Sequence, residues 1–96
     1  MTPDADTGVG PVLEAGETAR AILAALQRLN PDLVVVDRGS YLRVLAPGRC
    51  RMTREAVEQE LGRPFLLPGA LEMVMPSFKG RLRLGADEAV WSFDGP

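Results

Sequence analysis

The residue with the most evident chemical potential is Cys50, which lies between Arg49 and Arg51. Neighbouring guanidinium groups can lower the pKa of a thiol and make it nucleophilic. The sequence holds no second cysteine to resolve an oxidised thiol and no histidine to act as its base. We therefore favour a cysteine that is buried or fills space in an edge strand, with a reactive thiol as the alternative.

A short glycine motif, Gly8-Val9-Gly10, is a second feature that could carry chemistry, because glycine-rich turns can cradle phosphate groups. The third glycine of a dinucleotide-binding fingerprint would fall at Leu13, however, and Pro11 follows the motif at once. No predicted strand precedes it. The motif is therefore more typical of a flexible lead into an extended segment than of a phosphate site.

The composition argues against self-contained catalytic chemistry. Without histidine, the chain lacks Ser-His and Cys-His nucleophile pairs and the usual sites for zinc, haem and non-haem iron. One cysteine cannot hold an iron–sulfur cluster. Glu55, Glu58 and Glu60 are spaced like the exposed face of a helix, and no loop resembles a calcium site. We therefore do not expect a self-contained redox enzyme or a metal site, and a small enzyme that uses carboxylates and arginine alone is kept as an alternative to a non-catalytic interaction domain.

Charge is unevenly distributed along the chain, although the formal total is only −2. Residues 38–83 carry nine basic and four acidic residues, a local charge of +5, and arginine predominates among them. Lys79, Arg81 and Arg83 alternate along one predicted strand, either as a solvated face that protects a sheet edge or as a rim for an acidic partner. An arginine-rich middle could also bind nucleic acid, but aromatic residues for base stacking are not interleaved with the arginines. A small adaptor or nucleic-acid-binding domain is the alternative function.

The length of 96 residues suits one compact domain. Residues 1–8 predict a flexible tail because they hold little that could be buried, and residues 9–96 are assigned to the domain. Apolar runs are too short to cross a bilayer, and the N-terminus lacks the pattern of a secretory signal. The short apolar runs therefore predict no membrane contact. A single cysteine cannot form an internal disulfide, which is typical of a cytoplasmic protein.

The first half of the chain predicts a strand, a helix and a hairpin. Residues 9–13 form the strand, which we expect at a sheet edge because Pro11 cannot donate to a ladder. Apolar residues at helical spacing predict a helix that stops at Asn30-Pro31. Residues 33–45 predict two strands with a tight turn at Arg38-Gly39.

The second half predicts a helix framed by strands. Residues 49–52 can add a short strand before Thr53, whose hydroxyl is suited to cap a helix over 54–61 that ends at Gly62. Alternating apolar residues predict three further strands, over 71–75, 78–84 and 89–93. The order β-α-β-β-(β)-α-β-β-β predicts an α+β fold, a single compact domain of two βαβ(β)-like halves with two helices packed on antiparallel sheet.

Six short stretches across residues 9–94 form a recognisable pattern by their order and spacing. These stretches are Val9-Gly10-Pro11-Val12, Ala15-Gly16-Glu17, Asn30-Pro31, Val36-Asp37-Arg38-Gly39-Ser40-Tyr41-Leu42-Arg43-Val44, Leu61-Gly62-Arg63-Pro64-Phe65 and Ser77-Phe78-Lys79-Gly80. Together they resemble the effector, or regulatory, proteins of soluble diiron monooxygenases, a family that includes components of toluene monooxygenase and phenol hydroxylase and component B of methane monooxygenase.

The resemblance implies a regulatory subunit without a prosthetic group. Such a subunit binds the diiron hydroxylase component, on its alpha subunit, near the diiron site. There it controls the access of substrate and oxygen and couples electron transfer to hydroxylation. It would share hydroxylase surface with the ferredoxin or reductase that donates electrons. The short tail and the Leu61–Phe65 segment resemble the toluene and phenol branch, which implies an aromatic hydrocarbon as the substrate of the hydroxylase.

Candidate contact residues for the hydroxylase combine exposed turns with aromatic or arginine side chains, which often dominate binding energy. For Tyr41 and Phe78, packing in the core is an equally supported alternative. The full set is Asn30, Asp37, Arg38, Tyr41, Met73, Ser77 and Phe78.

Overall fold

A computed structural model describes residues 8–93 of the chain. These residues form seven strands and three helices. The elements are β1 (Gly8–Glu14), α1 (Glu17–Leu29), β2 (Val34–Asp37), β3 (Tyr41–Pro47), β4 (Arg49–Thr53), α2 (Arg54–Leu61), α3 (Gly69–Glu72), β5 (Ser77–Lys79), β6 (Arg81–Leu84) and β7 (Glu88–Ser92).

The strands form two antiparallel sheets with related topology, which confirms the predicted α+β fold of two similar halves. The first sheet has the order β2-β3-β1-β5 and the second has the order β4-β7-β6. In each half, a strand is followed by a helix and then by a hairpin, whose second strand returns to pair with the first strand. β5 departs from this repeat because it joins the first sheet beside β1.

Four local signals in the sequence predicted their elements correctly. α1 ends at Asn30 as expected, and the turn between β2 and β3 lies at residues 38–40. The Thr53 hydroxyl accepts a hydrogen bond from the Ala56 amide at 3.2 Å, and Gly62 ends α2 in the left-handed conformation with φ of 74°. These positions follow from capping and turn chemistry, which depends on neighbours along the chain.

β1 is an interior strand, so the prediction that residues 9–13 lie at a sheet edge is wrong. The paired positions between β1 and β3 skip Gly10 and Pro11, and β5 pairs with β1 at these positions instead. An interior proline is therefore accommodated where one of the two ladders is interrupted. Gly8 already belongs to β1 rather than to the predicted tail, and residues 1–7 lie outside the described range.

The predicted strand over residues 71–75 is also wrong, because this segment begins in the short helix α3. Leu71 and Met75 are buried, four positions apart, and the Met75 amide donates to the Leu71 carbonyl at 3.0 Å. Met73 lies between them and is 81% exposed. The apolar residues at 71, 73 and 75 fit a strand period, but only the pair with helical spacing reaches the core.

Gly80 divides the predicted strand over 78–84 into β5 and β6, which belong to different sheets. Its φ is +105°, and a Cβ at this position would lie 2.7 Å from Val9 Cγ1 and 2.8 Å from the Ser92 carbonyl oxygen. Glycine therefore permits a tight corner between the sheets. As a result, Lys79 lies in the first sheet, whereas Arg81 and Arg83 lie in the second, so the predicted cationic row is divided.

One hydrophobic core lies between the inner faces of the two sheets and the helices. Leu13 and Val44 enter it from the first sheet, Met52 and Trp91 from the second, and Ile22 from α1. Each of these side chains is completely buried. Because both inner faces contribute to the same core, the outer faces of the sheets point away from it. None of the helices within residues 8–93 is long and apolar enough to cross a membrane.

Candidate docking surface

A broad concave surface lies on the outer face of the first sheet. Along β1 and β3, the inward side chains are buried, and the outward positions pair Val12 with Arg43 and Glu14 with Tyr41. With residues from β5, these outward positions enclose an open groove of about 520 Å³, here called the sheet groove. It combines apolar and aromatic surface with both signs of charge, since Glu14, Arg43 and Lys79 line it.

Three of the sequence-predicted contact residues, Tyr41, Ser77 and Phe78, meet at the sheet groove. Tyr41 is 40% exposed and Phe78 is 44% exposed, so the alternative in which they pack in the core is wrong. Val12 of β1 pairs with Ser77 of β5 on one side and with Arg43 of β3 on the other. The register thus brings residues from distant parts of the sequence together on three adjacent strands.

Asp37 ends β2 and Arg38 begins the turn that leads into Tyr41, at one end of the sheet groove. The Asp37 carboxylate accepts a hydrogen bond from the Gly39 amide at 2.8 Å, and the Arg38 amide donates to the Tyr41 carbonyl at 2.9 Å. Both residues are exposed. The backbone of the turn is thereby held in place, and the Arg38 side chain projects from an ordered position.

Met73 lies outside the sheet groove but at the same end of the sheet as Tyr41. The neighbouring Val74 carbonyl accepts a hydrogen bond from the Glu14 amide at 2.8 Å, and Glu14 pairs with Tyr41. Met73 belongs to a segment around α3 that also exposes 66% of Leu66, while Phe65 is buried. We call residues 65–76 the α3 segment; Pro76 at its end lines the sheet groove.

Asn30 is the one predicted contact residue that the structure buries, so the expectation of an exposed position there is wrong. Its side-chain nitrogen donates to the Leu26 carbonyl at 2.9 Å and to the Arg51 carbonyl at 2.8 Å, and its oxygen accepts from the Arg51 amide at 2.9 Å. The side chain therefore caps α1 and joins it to β4. Its role here is structural.

Leu66, Arg43 and Pro76 are surface residues that sequence reasoning did not select. In the loop before α3, Phe65 is buried in the core and its neighbour Leu66 is 66% exposed. Arg43 gave no local signal, since its position on the groove depends on the register between β1 and β3.

Cys50 is buried in β4, and burial raises the pKa of its thiol to about 12. Desolvation disfavours the thiolate and outweighs the adjacent arginines, whose side chains lie on the other face of the strand. This supports the interpretation of Cys50 as a core residue. Within residues 8–93, no group of three or more carboxylate, cysteine or histidine side chains is arranged to hold a metal ion.

The fold carries an open groove of mixed apolar and charged character, and comparisons with known proteins specify the family. The chain belongs to the MmoB/DmpM family, which matches residues 7–92. This confirms the resemblance to the effector proteins of diiron monooxygenases. The effector subunit of the alkene monooxygenase system of Xanthobacter autotrophicus is 42% identical over 87 residues, which cover 88% of this chain and 85% of that protein.

Two solved structures share the fold at lower sequence identity. A chain in the phenol hydroxylase–regulatory protein complex superposes with a TM-score of 0.80 at 20% identity, over 92% of this chain and 99% of that one. The regulatory protein B of soluble methane monooxygenase superposes with a TM-score of 0.69 at 20% identity, over 98% of this chain and 70% of that one.

Proposed function

We propose that this chain is the non-catalytic effector subunit of a multicomponent diiron monooxygenase. The observation that carries the proposal is the 42% identity with an alkene monooxygenase effector subunit over almost the whole chain. The composition supports it, because a chain with no histidine and one buried cysteine offers few groups for oxidation chemistry of its own. The hydroxylase component would supply the diiron site and the reaction.

The sheet groove and the α3 segment form the proposed docking surface for the hydroxylase. They expose Tyr41, Phe78, Leu66 and Met73, four large side chains that would lose contact with water in a complex. Desolvated aromatic anchors commonly contribute most of the binding energy of an interface. Ser77 lies beside Phe78 in β5, and Asp37 and Arg38 would contact the hydroxylase at the rim. Asn30 would act indirectly, by holding α1 against β4.

Regulation follows if the docking surface fits one conformation of the hydroxylase better than another. A ligand shifts an equilibrium only by its differential affinity, and each tenfold preference is worth about 1.4 kcal/mol. Bound near the diiron site on the alpha subunit, this chain would favour the conformation that admits substrate and oxygen in the productive order. Electrons delivered to the hydroxylase would then lead to product more often.

Two classes of compound are candidate substrates of the hydroxylase. The resemblance drawn from the sequence indicates an aromatic hydrocarbon such as toluene or benzene, or the related compound phenol. The 42% identical relative belongs to an alkene monooxygenase system, so a short alkene is the second class. Because the effector does not provide the substrate pocket, parallel assays of the reconstituted system with phenol and with propene decide between them.

Complex formation with the purified hydroxylase component is the experiment that tests this function. We expect a complex on gel filtration, and calorimetric titration to saturate at one chain per active site. Addition of the electron-transfer component should weaken the apparent affinity, since both are proposed to share hydroxylase surface. Absence of any complex at micromolar concentrations would contradict the proposal.

A further inference from the structure

A second groove lies on the outer face of the second sheet, and the described residues that line it are rich in arginine. Arg81, Leu82 and Arg83 of β6 form one side, and Val90 and Ser92 of β7 form the other, around about 330 Å³. We call it the arginine groove. The register pairs Arg81 with Ser92 and Arg83 with Val90, so the two arginines project from the same face of the strand.

The arginine groove is suited to carboxylates. Guanidinium groups bind carboxylates through two parallel hydrogen bonds, a geometry that lysine cannot provide. The Cα atoms of residues two apart on a strand are separated by about 7 Å, so the groove carries two guanidinium groups on neighbouring outward positions, with Ser92 paired to Arg81. On the far side of β7, Arg51 already binds a carboxylate, that of Glu88, at 2.9 Å.

The two grooves adjoin each other at Gly80. Lys79 lines the sheet groove and Arg81 lines the arginine groove, with only Gly80 between them. The protein measures 38 × 28 × 23 Å. A specific interface buries roughly 800 Å² on each partner, a patch roughly 28 Å across. β5 and β6 are edge strands of the two sheets, so a partner that extends past Lys79 at the edge of the sheet groove would meet β6 next, across the corner at Gly80.

We propose that the arginine groove binds a pair of carboxylates on the hydroxylase component, as an extension of the docking surface. This inference rests on the proposed function. Arg81 and Arg83 would steer association and fix the orientation of the complex, whereas the aromatic residues of the sheet groove supply its apolar contacts. Of the two interpretations of these arginines, a solvated face at a sheet edge and a rim for an acidic partner, the proposal favours the second.

Nucleic acid is a less suitable occupant of the arginine groove. Bases bound to a sheet usually stack on exposed aromatic side chains, whereas the residues that line this groove include no aromatic residue. The formal charge of the whole chain is −2, so its overall charge does not favour a polyanion. A folded partner with a local pair of carboxylates does not have this disadvantage.

The test compares Arg81→Gln/Arg83→Gln with Arg20→Gln/Arg54→Gln, which removes the same charge from α1 and α2. Both variants and the wild-type chain are titrated into hydroxylase at low and at physiological salt concentration. We expect the first variant to bind about tenfold more weakly at low salt, with a smaller dependence on salt, and the second to bind within about twofold of wild type. Equal thermal stability of the variants would show that folding is not responsible.

The failure of this inference differs from failure of the proposed function. If wild type binds hydroxylase and both variants bind equally well, the arginine groove is not part of the interface, and the proposed function stands. If wild type itself does not bind, the proposed function fails. Binding of a 20-nucleotide single-stranded DNA that only Arg81→Gln/Arg83→Gln abolishes, with hydroxylase affinity unchanged, would overturn the inference in favour of nucleic acid.

Discussion

The side-chain amide of Asn30 pairs with both backbone polar groups of Arg51, donating to its carbonyl at 2.8 Å and accepting from its amide at 2.9 Å. A side chain at the end of α1 thus forms the hydrogen bonds that a neighbouring strand would offer to β4. In the order β4-β7-β6, β4 is at one edge, and Asn30 satisfies that edge at one position. This contact connects the two halves of the domain.

Replacement of Asn30 by alanine should destabilise the fold without a direct effect on docking. The change leaves the amide and the carbonyl of Arg51 without these partners in a partly buried position, and we expect the free energy of unfolding to fall by about 2–4 kcal/mol. Urea denaturation measures the loss. The control is Gln27→Ala on the exposed face of α1, which should change stability by less than about 0.5 kcal/mol. A loss below about 1 kcal/mol for Asn30→Ala would show that water replaces these bonds.

Gly10 and Gly39 provide a matched comparison of backbone strain and close contact. Both have positive φ, but a Cβ at Gly10 would overlap the Val44 carbonyl oxygen of β3, whereas a Cβ at Gly39 would meet nothing within 4 Å. We expect Gly39→Ala to cost about 1–2 kcal/mol of stability, and Gly10→Ala about 3 kcal/mol or more. Thermal denaturation of the two variants distinguishes them. Equal losses would mean that β1 and β3 can separate at little cost.

Cys50 should make the stability of the protein depend on alkaline pH. Burial raises the pKa of its thiol from 9.0 to about 12, so above pH 9 the unfolded chain loses this proton and the folded chain retains it. The contribution to stability is complete below pH 9 and is lost as pH rises towards 12. Between pH 8 and pH 10, wild type should lose about 1 kcal/mol more than Cys50→Ala. Other titrating groups are common to both proteins and cancel, so parallel losses would contradict the assigned burial of the thiol.

Tyr41 and Phe78 should contribute to hydroxylase affinity as well as to stability. Both side chains are about half exposed in the free protein, so Tyr41→Ala/Phe78→Ala also removes buried ring surface and should lower the free energy of unfolding by roughly 2–4 kcal/mol. Affinity is therefore compared at a temperature where the variant is fully folded. Affinity for the hydroxylase should fall by at least about tenfold if these rings anchor the complex. Tyr41→Phe, which retains the ring, separates the apolar contact from the hydroxyl. Unchanged affinity of the double variant would remove the sheet groove from the docking surface.

Local signals in the sequence predicted most elements of the fold, and the errors lie where long-range packing decides. Thr53 and Gly62 mark the ends of α2 through contacts within a few residues. By contrast, the apolar residues at 71, 73 and 75 alternate as in a strand. Only their burial in the folded protein shows that Leu71 and Met75, at helical spacing, face the core. Gly80 likewise fits an alternating strand by sequence alone. The closeness of Val9 and Ser92, which leaves no room for a Cβ, is what requires glycine at this corner.

The candidate site was partly accessible from the sequence for the same reason. Tyr41 and Phe78 were selected by residue type, and their exposure could not be inferred, since alternation along a strand does not reveal which face meets the core. Arg43 joins them only through the pairing of β1 with β3. Asn30 was predicted to be exposed and is buried. An asparagine at a helix end can be an exposed contact residue or a buried cap, and the position of β4, which decides between them, is not evident from the sequence.

The measurement that tests the effector role most directly is the yield of hydroxylated product per electron consumed, with this chain titrated into the hydroxylase and its electron-transfer components. The account predicts that both the rate and the yield rise, saturate near one chain per active site, and fall at excess as the chain competes with the electron donor. A rate and a yield that stay constant across the titration, with all components active, would contradict it.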